Sequence, residues 1–271
     1  MLVKDKVIVV TGAGNGMGRE VTLQLLGKGA RVAGVDLNAD ALAETVRLAG
    51  AHAERLSTHV VNIAHLDEVI ALPAAVLAAH GQVDGLMNIA GIIHKFLRVA
   101  DLPYGDIHRV FDVNFFGTVH MVKEFLPHLL DRPEAQILNV SSMGGYVPVP
   151  GQTMYGASKA AVKLFTEGLR SELAGTAVGV GIVFPGAIAT NMAVNSGVMS
   201  SEDAQRSAAQ GEVKFKTTPV EDAARAIIEA FERSPFHAFA GSDASMMYRL
   251  SRLVPERAAR IIQKQMAALL G

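Results

Sequence analysis

Short runs rich in valine and isoleucine alternate along the chain with longer stretches in which apolar residues recur every three or four positions. The strand-like runs are Val7 to Val10, Arg31 to Val35, Leu56 to Val61, Gly85 to Ile89, Gln136 to Val140 and Val178 to Phe184. Helical patterns lie between them, over Gly16 to Lys28, Asp40 to Ala49, Leu66 to His80, Ile107 to Leu130 and Gln152 to Leu173. Alternation of this kind predicts βαβ units, and near-continuous apolar runs predict strands covered on both faces. The implied fold is α/β and Rossmann-type: a doubly wound parallel sheet of about seven strands, with helices on both faces and right-handed crossovers.

Two segments fall outside that rhythm. Ala193 to Thr217 is small and polar with scattered Met and Val, and it follows the C-terminal end of a strand, where open α/β sheets bind ligands. A long unpatterned segment there predicts a mobile substrate lid over about 191–217. The tail, about 244–271, places Ile261, Ile262, Met266 and Leu269 or Leu270 at helical spacing from about Pro255 onward, with Arg and Lys opposite. That predicts a helical extension packed on its own domain or on a second subunit; a helix lying on a membrane surface is the sharper alternative and would need stronger amphipathicity. The uncharged stretch from Gly175 to Ser201 raises the question of a membrane span. Pro185 and Gly186 interrupt it and Thr190, Asn191, Asn195 and Ser196 follow, so a buried strand running into a loop is the better account.

Composition narrows the picture further. The chain has 271 residues, 50% hydrophobic and 19% charged, which suits one domain, 1–271, with a well-covered core. Its 25 basic and 26 acidic residues leave no cationic surface for nucleic acid. Without cysteine there are no disulfides and no thiolate chemistry, which is compatible with a reducing cytoplasm. The first apolar run turns straight into glycines and lacks the longer core of a signal peptide, so a cytoplasmic location is expected. The nine histidines show neither HxxxH nor paired-acid spacing, so no metal site is expected.

After the first strand comes TGAGNGMG, Thr11 to Gly18, leading into a helix. Amides at such a turn point at an anion, and Gly12, Gly16 and Gly18 allow a pyrophosphate to approach without a Cβ in the way. Asp36 ends the second strand, 18 residues beyond Gly18, where a carboxylate accepts from both hydroxyls of an adenosine ribose. A 2′-phosphate there meets like charge, a repulsion on the order of 4 kcal/mol at ~4 Å and an effective dielectric of ~20. Leu37 follows the acid and Asn15 occupies the turn position where a cation would offset the phosphate, so NAD is expected over NADP. A helix over Gln152 to Leu173 puts Tyr155 and Lys159 on one face a turn apart. Lowering a phenol pKa to neutrality requires about 4 kcal/mol, and one ammonium at ~4 Å in a partly dry site supplies a comparable amount. The spacing suits a phenol acting as general base or acid. Ser141 and Ser142 lie just past a strand, at the carboxyl edge of the sheet, and Asn114 is an unexpected polar residue among Val113, Phe115 and Phe116.

With these residues assembled, the chain resembles the short-chain dehydrogenase/reductase family over residues 5 to about 240. The matching elements are TGAGNGMG, Asp36, NIAG (Asn88 to Gly91), Asn114, NVSS with Ser142 thirteen residues before Tyr155, YGASK, and PGAIAT (Pro185 to Thr190). The resemblance implies hydride transfer between a nicotinamide and an alcohol or carbonyl. By this likeness Tyr155 exchanges the proton and Ser142 hydrogen-bonds the substrate oxygen. Lys159 lowers the phenol pKa and holds the nicotinamide ribose, while Asn114 fixes a water that relays protons from Lys159. The cofactor residues implied are Gly12, Asn15, Gly16, Met17, Gly18, Asp36, Leu37, Asn62, Ile63, Asn88, Ala90, Gly91, Pro185, Gly186, Ile188 and Thr190, with Tyr155 and Lys159. Thr190 meets the carboxamide, and Asn88 and Gly91 shape the wall near the adenosine side.

Three departures from the family pattern stand out. Ile89 replaces a second Asn in NNAG, Asn62 replaces the usual Asp at adenine, and the closing strand near residue 245 is not legible. The resemblance also implies a homo-oligomer. Ile93, Phe96, Met143, Tyr146, Val147 and Met192 to Met199 are the expected substrate contacts, suited to an apolar ligand. Two rival readings stand beside an NAD-dependent dehydrogenase: an NADPH-dependent ketone reductase, and a non-catalytic NAD-sensing scaffold.

Overall fold

Residues 1–190, 192–200 and 217–266 are described by a computed structural model. Seven parallel strands form one sheet: β1 (Val7–Thr11), β2 (Arg31–Asp36), β3 (Leu56–Val60), β4 (Gly85–Asn88), β5 (Ala135–Val140), β6 (Val178–Pro185) and β7 (Ala238–Ala240). Their spatial order is β3-β2-β1-β4-β5-β6-β7. The chain winds outward from β1 to β3, then returns to the other side of β1, so the order reverses between β1 and β4. At such a switch point the crossovers leave on opposite faces and a crevice opens beyond the carboxyl ends of the strands. The closing strand is β7. It was missed in the sequence pattern because three residues pairing with β6 at Val183, Phe184 and Pro185 carry too little periodicity to read.

Strand alternation sorts the side chains between two cores. Ile8 and Val10 of β1 face one side, against Leu25 and Leu26 of α1 (Gly16–Gly27) and Ile227, Ile228 and Phe231 of α8 (Val220–Arg233). Val7 and Val9 face the other, against Val69, Leu72 and Val76 of α3 (Leu66–His80) and Met121, Val122 and Phe125 of α5 (Gly117–Leu130). The helix α2 (Ala39–Ala49) starts at Asn38, whose side chain accepts from Ala41 N. Gly85 opens β4 because a Cβ there would lie 2.4 Å from the Phe231 ring. Asp84, fully buried, ties the strand starts together: Val7 N and Gln82 Nε2 each donate to Oδ2 at 2.8 Å, and Arg132 Nε donates to Oδ1 at 2.9 Å.

The long helical pattern ending at Leu130 is not one regular helix. It comprises α4 (Tyr104–Phe111), a π-helical turn over Asp112–Phe116, and α5. Such a bulge is an insertion into the helical ladder, common at functional positions, and Asn114 sits inside it. The helix α6 (Thr153–Glu172) follows β5 and a short turn, and α7 (Met192–Asn195) follows β6. Beyond β7 come α9 (Ser242–Leu253) and α10 (Pro255–Met266). Leu269 and Leu270, and residues 191 and 201–216 of the expected lid, lie outside the described residues. No helix among the described residues is long and apolar enough to cross a membrane.

Candidate active site

A cleft of about 600 Å³ lies beyond the carboxyl ends of β1, β2 and β4. The glycine turn makes one wall. Gly12 (φ +73°) and Gly16 (φ +50°) adopt the left-handed region that a side chain disfavours. Gly18 is required by packing, since a Cβ there would lie 2.1 Å from Gly12 O. Asn15 caps α1, accepting from Gly16 N at 3.0 Å, and its Nδ2 donates to Asn195 Oδ1 at 3.3 Å. Thr11 Oγ1 accepts from Ile89 N (3.0 Å) and Ala90 N (3.1 Å), which locks the end of β1 to the chain leaving β4.

At the far end, Asp36 Oδ2 accepts from Gly14 N at 2.9 Å and Oδ1 from Asn38 N at 3.0 Å. The carboxylate is thereby aimed along the cleft wall with lone pairs left to accept hydroxyl donors. Arg19, the basic residue that follows the turn in α1, is already engaged: its Nη2 donates to Gly14 O and Ala41 O and its Nε to Thr45 Oγ1. Asn62 lines the cleft while its Oδ1 accepts from Ala64 N at 3.1 Å.

The residues expected to handle the proton come from three elements. Ser142 caps a single 3₁₀ turn, its Oγ accepting from Gly144 N at 3.1 Å. Tyr155, in the first turn of α6, lies against the same glycine: a Cβ on Gly144 would sit 3.5 Å from Tyr155 Cε1 and 3.6 Å from Ser142 Oγ. Lys159, one turn on, is 3% exposed and donates from Nζ to Val140 O at 3.0 Å. Asn114, fully buried, accepts from Ile92 N at 2.8 Å and donates from Nδ2 to Ile92 O and Ser158 Oγ. A Cβ on Gly91 would meet Lys159 Nζ at 3.0 Å and Asn114 Oδ1 at 3.2 Å, so the lysine and the amide lie directly behind Gly91, which lines the cleft.

A glycine cradle that side chains would fill, a carboxylate at one end and a lysine at the other match what a nicotinamide dinucleotide requires. The comparisons with known proteins agree. The model of the short chain dehydrogenase family matches residues 6–200. The chain belongs to that family. It is 36% identical over 261 residues to SadH of Mycobacterium tuberculosis, named as an oxidoreductase, covering 96% of this chain and 94% of that one. Among solved structures, a short chain dehydrogenase/reductase from Burkholderia phymatum in complex with NAD superposes with a TM-score of 0.84 at 28% identity, over 95% of this chain and 96% of the other. A short chain dehydrogenase from Burkholderia cenocepacia in complex with NADP gives 0.79 at 27% identity, over 97% and 99%. As a member of this family the chain is an NAD(P)-dependent oxidoreductase acting on CH–OH groups.

Measured against the family pattern, most of the expected cofactor residues do line the cleft: Gly12, Asn15, Gly16, Met17, Gly18 and Asp36 on one side, and Leu37, Asn62, Ile63, Ala90, Gly91 and Thr190 on the others. Several do not. Asn88 is buried below it, donating from Nδ2 to Asn139 Oδ1 at 2.8 Å. Tyr155 and Lys159 are not part of its wall either. Gly91 does line it, but against Lys159 and Asn114 and not at the Asp36 end where the adenosine is expected. Pro185, Gly186 and Ile188 are outside the cleft wall. Gly186 is glycine because a Cβ would lie 2.2 Å from Asp243 Oδ1, and Ile188 packs on the core. Val113 and Ile92, not among the expected cofactor residues, line the cleft as well, and so do Met192 and Asn195, expected as substrate contacts. Neighbourhood to Asn114 and Gly91 was the available signal for the first two; α7 is placed by tertiary contacts, Ser196 Oγ accepting from Ile93 N and Ser196 O from Arg109 Nη2.

The electrostatics differ from the expectation of a phenol lowered by its lysine. Burial pushes the Tyr155 phenol up from its ordinary value, and the Ser142 hydroxyl pulls it partly back. Burial also brings Lys159 down to about 8. The ammonium turns to the Val140 carbonyl and to Gly91, so loss of hydration outweighs attraction between the pair. Two expected substrate contacts are corrected as well. Tyr146 donates to Ala244 O at 2.6 Å and packs edge-on against Phe184 and Tyr248, while Val147 is buried with Met247, Ala258 and Ile262.

Proposed function

We propose that this protein is an NAD-dependent dehydrogenase acting on a secondary alcohol or its ketone. The observation that carries the reading is the double convergence: Tyr155 and Ser142 at Gly144, and Lys159 and Asn114 at Gly91 on the wall of the dinucleotide cleft. Bound in that cleft, a nicotinamide supplies the hydride acceptor or donor. The chain's own part is orientation and proton handling. Ser142 uses a lone pair on Gly144 N and its hydroxyl faces Tyr155; with substrate bound, that O–H turns to donate to the substrate oxygen and holds it beside the Tyr155 hydroxyl. Tyr155 then takes the alcohol proton in oxidation or gives it to the carbonyl oxygen in reduction. Asn114 clamps the Ile92 backbone from both sides and so sets the Gly91 surface that Lys159 faces.

The raised phenol keeps Tyr155 protonated at neutral pH, the form that reduction needs. Oxidation needs the phenolate, so its rate rises with pH through the alkaline range while the rate of reduction does not. The choice of NAD rests on the Asp36 carboxylate at the ribose end, the exposed Leu37 beside it, and Arg19 being committed elsewhere. The deciding experiment is Tyr155→Phe, which removes the proton carrier and is expected to lower kcat by 10²-fold or more while NADH still binds, followed by its fluorescence. Wild-type turnover in that variant refutes the mechanism, and faster initial rates with NADP(H) than with NAD(H) refute the cofactor choice.

A further inference from the structure

A second cavity, of about 660 Å³, lies between the α9–α10 hairpin and the turn that follows Ser142. Met143, Met246, Met247 and Met266 line it, together with leucine and isoleucine side chains, and no aromatic ring does. It shares no lining residue with the dinucleotide cleft. Its wall nevertheless includes Met143, which directly follows Ser142 in the chain. The hairpin is pinned there by Asp243, whose Oδ2 accepts from Ala187 N at 2.8 Å. That bond occupies the acidic group in the wall. Arg249 and Gln265 are exposed, as are Met246 and Leu253, while Met247 and Ile262 are each 3% exposed and form the floor; the Ser245 hydroxyl is engaged, donating to Ser242 O at 3.1 Å.

We propose that this cavity takes an unbranched alkyl chain of the substrate, with the carbon that exchanges hydride held at Ser142 and Tyr155. The inference rests on the alcohol/ketone reading above and names the substrate class of the same site. Four methionines favour a linear, flexible chain: each is unbranched and polarisable and re-packs around ligands of different length. A planar polycyclic ligand finds no ring to stack on, since Tyr146 and Tyr248 are turned toward Phe184 and one another. A polar ligand would leave its groups unpaired against carbon and sulfur.

The test is kcat/KM with NAD for 2-alkanols from butanol to dodecanol. The expected result is a rise of about two- to fourfold per added methylene until the chain fills the cavity, the upper figure corresponding to about 0.8 kcal/mol per buried CH₂. Ile261→Trp on α10 and Met246→Trp on α9 place a large side chain at partly exposed positions of the wall. Each is expected to lower the dodecanol-to-butanol ratio by tenfold or more, and partial misfolding does not move that ratio. A flat wild-type series, or ratios unchanged in both variants, overturns the proposal. If no alkanol or ketone of any length reacts with either cofactor, the reaction reading fails instead, and cis-parinaric acid fluorescence tests the cavity alone. Saturable binding lost in both variants supports the alkyl pocket. Absent binding, or a change of oligomeric state in Met246→Trp showing that a second copy covers the cavity, overturns it.

Discussion

Lys159 carries a measurable stability penalty. Its folded-state pKa near 8, against an ordinary value of 10.5, amounts to about 3 kcal/mol of destabilisation wherever both folded and unfolded forms are protonated. The side chain is 3% exposed, so solvent screening takes little of this away. Lys159→Met removes the buried charge and keeps most of the stem, but leaves Val140 O without its donor, a loss of about 1 kcal/mol. The variant is therefore expected to be more stable than wild type by about 2 kcal/mol at pH 7, or about 4 °C in Tm for a chain of this size. The pH dependence carries the sign. Below pH 8 the penalty is present in full. Between 8 and 10.5 the folded protein releases its proton while the unfolded chain still holds one, so wild type gains on the variant as pH rises. By pH 9.5 the advantage falls below about 0.5 kcal/mol. Tyr155 is present in both proteins and its alkaline titration cancels in the difference. The assay is thermal and urea unfolding of both cofactor-free proteins at pH 7.0, 8.5 and 9.5. A variant less stable at pH 7, or an advantage that does not change with pH, would falsify the reasoning that this lysine is held charged against its hydration.

Three further outcomes follow from single contacts. Gly18→Ala forces a methyl into rigid backbone 2.1 Å from Gly12 O and is expected to lower stability by about 3 kcal/mol and weaken dinucleotide binding, read by Tm with and without NADH; wild-type values in both would show the turn to be more pliant than drawn. Asp84→Ala strips three donors, Val7 N, Gln82 Nε2 and Arg132 Nε, of a buried acceptor and is expected to cost about 3–5 kcal/mol in urea unfolding. Asp36→Ser removes like charge from the ribose end and is expected to narrow any preference for NAD over NADP by about tenfold or more, about 1.4 kcal/mol, seen in kcat/KM for the two cofactors.

The sheet, its winding and the glycine turn were legible in the chain because each is written in local repetition. Two-residue and 3.6-residue periods decide which face is apolar, and Gly12 and Gly16 are tied to a backbone conformation that other residues disfavour. The one-turn spacing of Tyr155 and Lys159 was legible for the same reason, since four residues on a helix are one turn wherever the helix goes. Other features belonged to tertiary structure alone. Three residues of β7 became a strand only by pairing with β6, and Met192 and Asn195 reached the cleft through bonds that the segment after β6 makes with Asn15, Ile93 and Arg109. Tyr146 stands four residues past Ser142 and faces away from it, because Phe184, Tyr248 and the Ala244 carbonyl offer its ring and hydroxyl a place that nothing nearby in the chain foretells. The direction of the Tyr155 and Lys159 pKa shifts was likewise decided by burial. Spacing brings a phenol and an ammonium close, but only the packing around them determines how much water each has lost and therefore which way its pKa moves.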